Sequence, residues 1–370
     1  MSNPQVHLVE ESMREGMQIE SVEITTEAKI RLLDALSATG LRRIIVGSFV
    51  SPKWVPQMAD IEDVIAGFTP APGVEYTALT LNRRGWERMQ AHMPPLVARS
   101  ERPQTVAHLC DVFPRRNANR SQQDEIDGWS RTIEGARESG ATEAGIGANA
   151  AWGSNWVGGF SAGDVIALLE RQDAAWREAG IDVASVFLGD PMGWNAPHEV
   201  RETVERIAAR WPEVRRLHLH LHNTRGLALA SAYAAIEALD DRYEVTIDAS
   251  VGGFGGCPYC GNGRAAGMIP TEDLVHLLGA MDISTGVDMD RLLDAVEVAE
   301  EVVGRALYGH VSKAGPRPTS VDELYPMDLP LVETLEEATH FRDRSVVGDG
   351  AGRRPWPEPI VSQQRQRVVS

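Results

Sequence analysis

The chain has 370 residues, 43% hydrophobic and 24% charged, a globular balance that argues against a disordered chain and allows one large domain or two to three smaller ones. Lys plus Arg number 36 and Asp plus Glu 53, so the formal charge is −17, which argues against nucleic acid or an anionic membrane as partner. Three cysteines exclude a disulfide framework, and no signal peptide or 18-residue apolar run is visible, so the expectation is a cytoplasmic protein without a membrane span.

In chain order, VHLVE (6–10) predicts a strand and TEAKIRLLDALSATG (26–40) a helix, with apolar residues at 30, 32, 33 and 36 and Gly40 as its stop. RRIIVG (42–47) predicts a strand and 59–68 a helix; EYTALT (75–80) a strand and 82–93 a helix. QTVAHLC (104–110) precedes a helix over 121–140, and TEAGIGA (142–148) precedes a helix over 161–180 capped by Ser161. VASVFLG (183–189) leads to a helix over 197–211, RRLHLHLH (215–222) to one over 226–239, and EVTIDASV (244–251) to one over 271–281.

Eight strands each followed by a helix imply a parallel sheet, and about 280 residues suit a (β/α)8 TIM barrel, whose usual size is about 250 residues plus insertions. A doubly wound open sheet is the alternative, but no GxGxxG fingerprint follows the first strand. A further helix is expected over 288–307 and an apolar patch near 329–341. The expected division is a catalytic barrel over 1–285, a helical appendage over 286–343 and a flexible tail over 344–370.

Active sites of such barrels lie at the C-terminal ends of the strands. The polar residues there are Arg14, Glu15 and Gln18 after strand 1, Ser48 after strand 2, Asn82 after strand 3 and Arg115 and Arg116 after strand 4. Then come Asn149 after strand 5, Asp190 after strand 6, His220, His222 and Asn223 on strand 7, and Cys257, Cys260 and Asn262 after strand 8. Asp190 is a candidate catalytic group. Gln18, Ser48, Asn82, Arg115, Arg116, Asn149, Asn223 and Asn262 are candidate substrate contacts.

Alternating side chains put His218, His220 and His222 on one face of their strand. With a carboxylate from another strand, the outer two suit a divalent metal, and a hydrogen-bonded histidine row is the plainer alternative. His218, lying deeper, is expected to be structural. CPYC (257–260) resembles a redox string, but a glycine-rich loop after the eighth strand is the wrong context for one. FPRRNANR (113–120) is read as a basic loop that clamps an anion or is merely solvated.

REGMQIE (14–20), SFVSPKWVPQMAD (48–60), HLHNTRG (220–226), ASVGGFGGCPY (249–259) and TEDLVHLL (271–278) together resemble the motifs of the 3-hydroxy-3-methylglutaryl-CoA lyases, in family order over residues 6 to about 310. The resemblance implies a metal-dependent barrel that cleaves a carbon–carbon bond of a 3-hydroxyacyl-CoA, giving acetyl-CoA and a keto acid. It implies Glu15, His220 and His222 as metal ligands, with Mg or Mn preferred over Zn or Co. Arg14 would stabilise the enolate oxygen and Cys257 would be the general acid. A homodimer and an acyl-CoA or organic-acid substrate are implied with them. A citramalate-type condensing enzyme and a non-catalytic partner barrel are the alternatives.

The chain departs from the family pattern at several places. The strand 2 acid that pairs with the arginine is Ile45, which leaves Arg14 without that partner unless Glu10 or Glu11 substitutes; the aspartate ligand is Glu15, and the shell asparagine falls on Met268. The loop WGSNWVGGF (152–160) is expected to bring two tryptophans to the mouth.

Overall fold

The computed structural model describes residues 2–98, 102–260, 267–325, 327, 361–362 and 364. The barrel strands are β1 (Gln5–Glu10), β2 (Arg43–Ser48), β3 (Glu75–Leu79), β4 (Gln104–His108), β5 (Glu143–Asn149), β6 (Asp182–Asp190), β7 (Arg216–Leu221) and β8 (Glu244–Ala249). They form one eight-stranded parallel sheet in the order β3-β2-β1-β8-β7-β6-β5-β4. Strand β1 pairs with β8 from Gln5↔Glu244 to Glu10↔Ala249, which places the first and last strands side by side. Among the described residues no ladder joins β3 to β4.

The helices between them are α1 (Thr26–Ser37), α2 (Ile61–Gly67), α3 (Arg83–Gln90), α4 (Gln122–Glu138), α5 (Ala162–Glu178), α6 (Pro197–Arg210), α7 (Ala228–Glu237) and α8 (Thr271–Ala280). The architecture is the (β/α)8 TIM barrel that the alternation predicts. Helices α4 and α5 each open on a capping box, Ser121 with Asp124 and Ser161 with Asp164, which satisfies two otherwise orphaned N–H groups at each start. Behind the sheet, Trp176 donates its indole N–H to Thr105 Oγ1 at 2.9 Å, and Gln172 bonds both the N–H and the C=O of Gly147. The tryptophan and glutamine thus fill the helix–sheet layer with no polar atom wasted.

One compact unit runs from Met1 to Ala314 and a second from Gly315 to Ser370. The first includes α9 (Met289–Val303), whose neighbour Asp288 donates its N–H to Thr39 O at 2.8 Å, at the end of α1. In the second, Thr319 and Ser320 both bond to Glu323. The expected apolar patch near 329–341 lies outside the described residues, as does most of the expected tail. Among the described residues no helix is long and apolar enough to cross a membrane.

Three local elements were not legible in the pattern. Ser12–Gly16 winds as a single π-helical turn, the basic run at Phe113–Ala118 is a short helix rather than a loop, and Gly153–Ser154 pairs with Gly158–Gly159 as a small hairpin. At the opposite end of the barrel, a cavity of about 320 Å3 lies among the first residues of the strands, including Arg43, Glu75, Gln104 and Arg216. This is the end that serves stability in such barrels, and the candidate site is not there.

Glu10, at the end of β1, is fully buried and accepts from Ser12 N at 2.9 Å and from Thr271 Oγ1 at 2.6 Å. Burial pushes its carboxyl up to about 7 despite those bonds. The folded chain therefore holds this proton to a higher pH than the unfolded chain does. Stability from Glu10 falls as pH rises from about 4.5 to about 7. Glu10→Gln is expected to flatten that part of a Tm-against-pH curve, and an unchanged slope would reject this role.

Candidate active site and metal centre

The π-helical turn after β1 carries the charged half of the site. Winding puts Glu11, three residues back, beside Arg14. The Arg14 guanidinium donates from Nε to Glu11 Oε2 at 2.8 Å and from Nη2 to Glu11 Oε1 at 2.9 Å, a bidentate pair. Nη1 donates to Glu15 Oε1 at 2.6 Å. Ile45, which stands where the resemblance places the arginine's partner, is 2% exposed and apolar. Glu11 takes over that pairing, from the arginine's own turn rather than from strand 2.

Strand β7 carries the other half. His220 Nε2 lies 3.2 Å from His222 Nε2 and 3.5 Å from Glu15 Oε1. One ligand atom from each of Glu15, His220 and His222 falls within 4.8 Å of the others. The opposite nitrogen of His220, Nδ1, is held 2.7 Å from Asp248 Oδ2, which turns Nε2 into the site. Asp248 Oδ1 binds His218 Nε2 at 2.7 Å, so the deeper histidine braces the brace.

The charged groups of the site perturb one another. Burial works to raise the Glu15 carboxyl, but Arg14 and the two histidines bring it down to about 2. Burial likewise disfavours charge on His220, yet its bonds to Asp248 and Glu15 raise it to about 10, so a divalent ion binding at Nε2 would have to displace a proton. An anionic oxygen and two imidazole nitrogens converging at one point form a donor set suited to a divalent cation. Gln18 Nε2 donates to Glu15 Oε2 and, at 3.1 Å, to Gly256 O, tying the turn to the glycine loop.

Cys257 sits in that loop, 9% exposed, in an apolar cluster with Cys110, Phe113, Ala150, Met192 and Cys260. The loop is shaped by glycines at positive φ. A Cβ on Gly255 (φ +113°) would stand 2.7 Å from Glu15 O, so the loop approaches the turn that carries Glu15 as closely as a backbone can. All three cysteines are free thiols.

The remaining candidates are scattered. Asp190 is buried and accepts from Met192 N, Asn195 N and Asn195 Nδ2, so it builds the loop after β6; burial lifts its carboxyl to about 6. Asn82 caps α3 by accepting from Gly85 N at 2.9 Å, and Asn223 accepts from Ala228 N at 3.0 Å at the start of α7. Asn149 Oδ1 accepts from Ala150 N. Arg115 is exposed beside Asp111, whereas Arg116 donates to Tyr259 O at 3.3 Å and lies over the Trp156 ring. Ser48 is buried, and its hydroxyl has no hydrogen-bond partner among the described residues. Met268 is buried and bridges to His222, and Asn262 lies outside the described residues. Of the two tryptophans expected at the mouth, Trp152 turns into the helix layer and donates to Thr203 Oγ1 at 3.1 Å. Trp194, from the loop after β6, stands with Trp156 instead.

This geometry can be set beside known proteins. The model of the HMGL-like family matches residues 5–299. The chain belongs to the HMGL-like family. It is an acyl-CoA lyase of the HMG-CoA lyase type, and hence a carbon–carbon lyase. It is 37% identical over 313 residues to a 3-hydroxy-3-isohexenylglutaryl-CoA/hydroxy-methylglutaryl-CoA lyase of Pseudomonas aeruginosa, covering 84% of this chain and 96% of that one. It is 33% identical over 324 residues to an (R)-citramalyl-CoA lyase of Chloroflexus aurantiacus, covering 84% and 95%. Its fold matches an HMG-CoA lyase from Acinetobacter baumannii, solved with coenzyme A and 3-methylmalate, with a TM-score of 0.68 at 30% identity over 88% of this chain and 97% of that one.

Proposed function

We propose that this HMGL-like lyase cleaves a 3-hydroxy-3-carboxyalkyl acyl-CoA to acetyl-CoA and a keto acid, using Mg or Mn held by Glu15, His220 and His222. The observation that carries the reading is the convergence of those three ligand atoms beside the Arg14 guanidinium. A divalent ion there would supply Lewis-acid stabilisation of the substrate's oxygens and acidify its C3 hydroxyl, whose proton leaves to solvent.

The residues of the chain supply the rest. As the C2–C3 bond breaks, C3 becomes the carbonyl of the keto acid and the electron pair passes through C2 to the thioester oxygen. A guanidinium has five N–H donors. Three on Arg14 are engaged by Glu11 and Glu15, which leaves two for that developing oxyanion. The Cys257 thiol then gives its proton to C2, completing the acetyl group, and recovers one from solvent. The apolar cluster around the thiol keeps bulk water from that step. The assembly we propose is a homodimer, to be read from light scattering.

The test is acetyl-CoA release from a panel of such thioesters, with chain branches at C3 from methyl upward, before and after EDTA. Activity on at least one member, lost with EDTA and restored by Mg or Mn, is the expected result. No cleavage of any member with metal present would overturn the reading, and thiol release from acetyl-CoA plus a keto acid would replace it with condensation.

A further inference from the structure

The loop that carries Cys257 is tied down by a residue from another part of the barrel. Asn155, at the tip of the hairpin after β5, donates from Nδ2 to Cys260 O at 2.9 Å. Its Oδ1 accepts from Trp194 Nε1 at 2.9 Å and from Arg225 Nη2 at 3.1 Å. An indole N–H and a guanidinium can only donate, and a backbone carbonyl can only accept. The amide therefore has one satisfied orientation, and its NH2 group must face the cysteine loop. Arg225 is itself fixed, by donating to Met192 O at 2.7 Å and by lying 5.5 Å from the centre of the Trp194 ring. One side chain thus joins the loops after β5, β6 and β7 to the loop after β8.

We infer that Asn155 is a positioning residue: through Cys260 O it holds the Cys257–Cys260 turn closed over the metal side of the site. Its part in turnover rests on the reading of Cys257 as the acid. The clasp itself does not, because it has a readout of its own. Cys257 is 9% exposed and Cys260 fully buried, so a closed loop withholds both thiols from reagents.

Asn155→Asp isolates the contact. A carboxylate still accepts from Trp194 and Arg225, but it has no N–H for Cys260 O and sets acceptor against acceptor there. Alkylation of Cys257 and Cys260 by iodoacetamide, mapped by peptide mass, is expected to speed up about tenfold. The rate at Cys110, which lies in the same cluster on a different loop, is expected to stay unchanged. Turnover is expected to fall through kcat with Mn binding intact. Rates at Cys257 and Cys260 within twofold of the parent protein would overturn the clasp, as would equal acceleration at Cys110. Should Asn155→Asp fail to fold, Asn155→Ala removes both sides of the contact and is read by the same alkylation. If alkylation accelerates in a protein that cleaves none of the thioesters, the clasp stands and the proposed reaction falls.

Discussion

Replacing His220 with alanine is expected to abolish turnover and divalent-ion binding together. His220 supplies one of three convergent ligand atoms, aimed into the site by its Nδ1 contact with Asp248. The residues left on the site, Glu15 and His222, offer two donors in place of three, which lowers the affinity for Mg or Mn. A Lewis acid contributes several kcal/mol to such a step, so the expected loss is about 10³-fold or more in kcat. Steady-state turnover checks the first half and Mn binding by titration or electron spin resonance checks the second. A His220→Ala protein that keeps both within tenfold of the parent would remove the metal centre from its proposed place.

The second large effect is expected at Cys257. Loss of a positioned general acid costs about 10²–10⁴-fold. Cys257→Ala should therefore lower kcat by about that range while leaving Mn binding intact, unlike His220→Ala, which loses both. Cys260→Ala provides the contrast. Its thiol is fully buried and burial pushes its pKa up, so it serves as packing, with its carbonyl as the clasp point. A small loss there and a large one at Cys257 is the expected pattern. Normal turnover by Cys257→Ala would reject the acid, and a comparable loss at Cys260 would return the pair to a redox reading.

The barrel was readable because each β/α unit announces itself locally. An apolar run such as VASVFLG, a cap such as Ser161 and a stop such as Gly40 need no distant partner to be recognised. The histidine pair was readable for the same reason, since residues two apart on a strand must share a face. Pairings that depend on winding or on remote contacts were not. Glu11 stood beside Glu10 as a candidate partner for Arg14, and only the π-helical turn at Ser12–Gly16, which has no sequence signature in this stretch, decides between them. Arg116 finds its partner 143 positions away and Asn155 finds one 105 away, distances over which spacing carries no signal. Asn82 could have been recognised: it precedes a helix by one residue, where an asparagine caps more often than it binds.

The Glu11–Arg14–Glu15 arrangement has a consequence for how such a site can be moved. The cation and both of its counter-charges lie within five consecutive positions, on a turn joined to one strand end. On strand 2 a buried alkyl side chain, Ile45, stands where the resemblance places an acid. A protein engineer grafting this chemistry onto a foreign barrel would carry the arginine and its two carboxylates as a single short peptide, and would have to add only the histidines of strand 7 and their Asp248 brace from elsewhere.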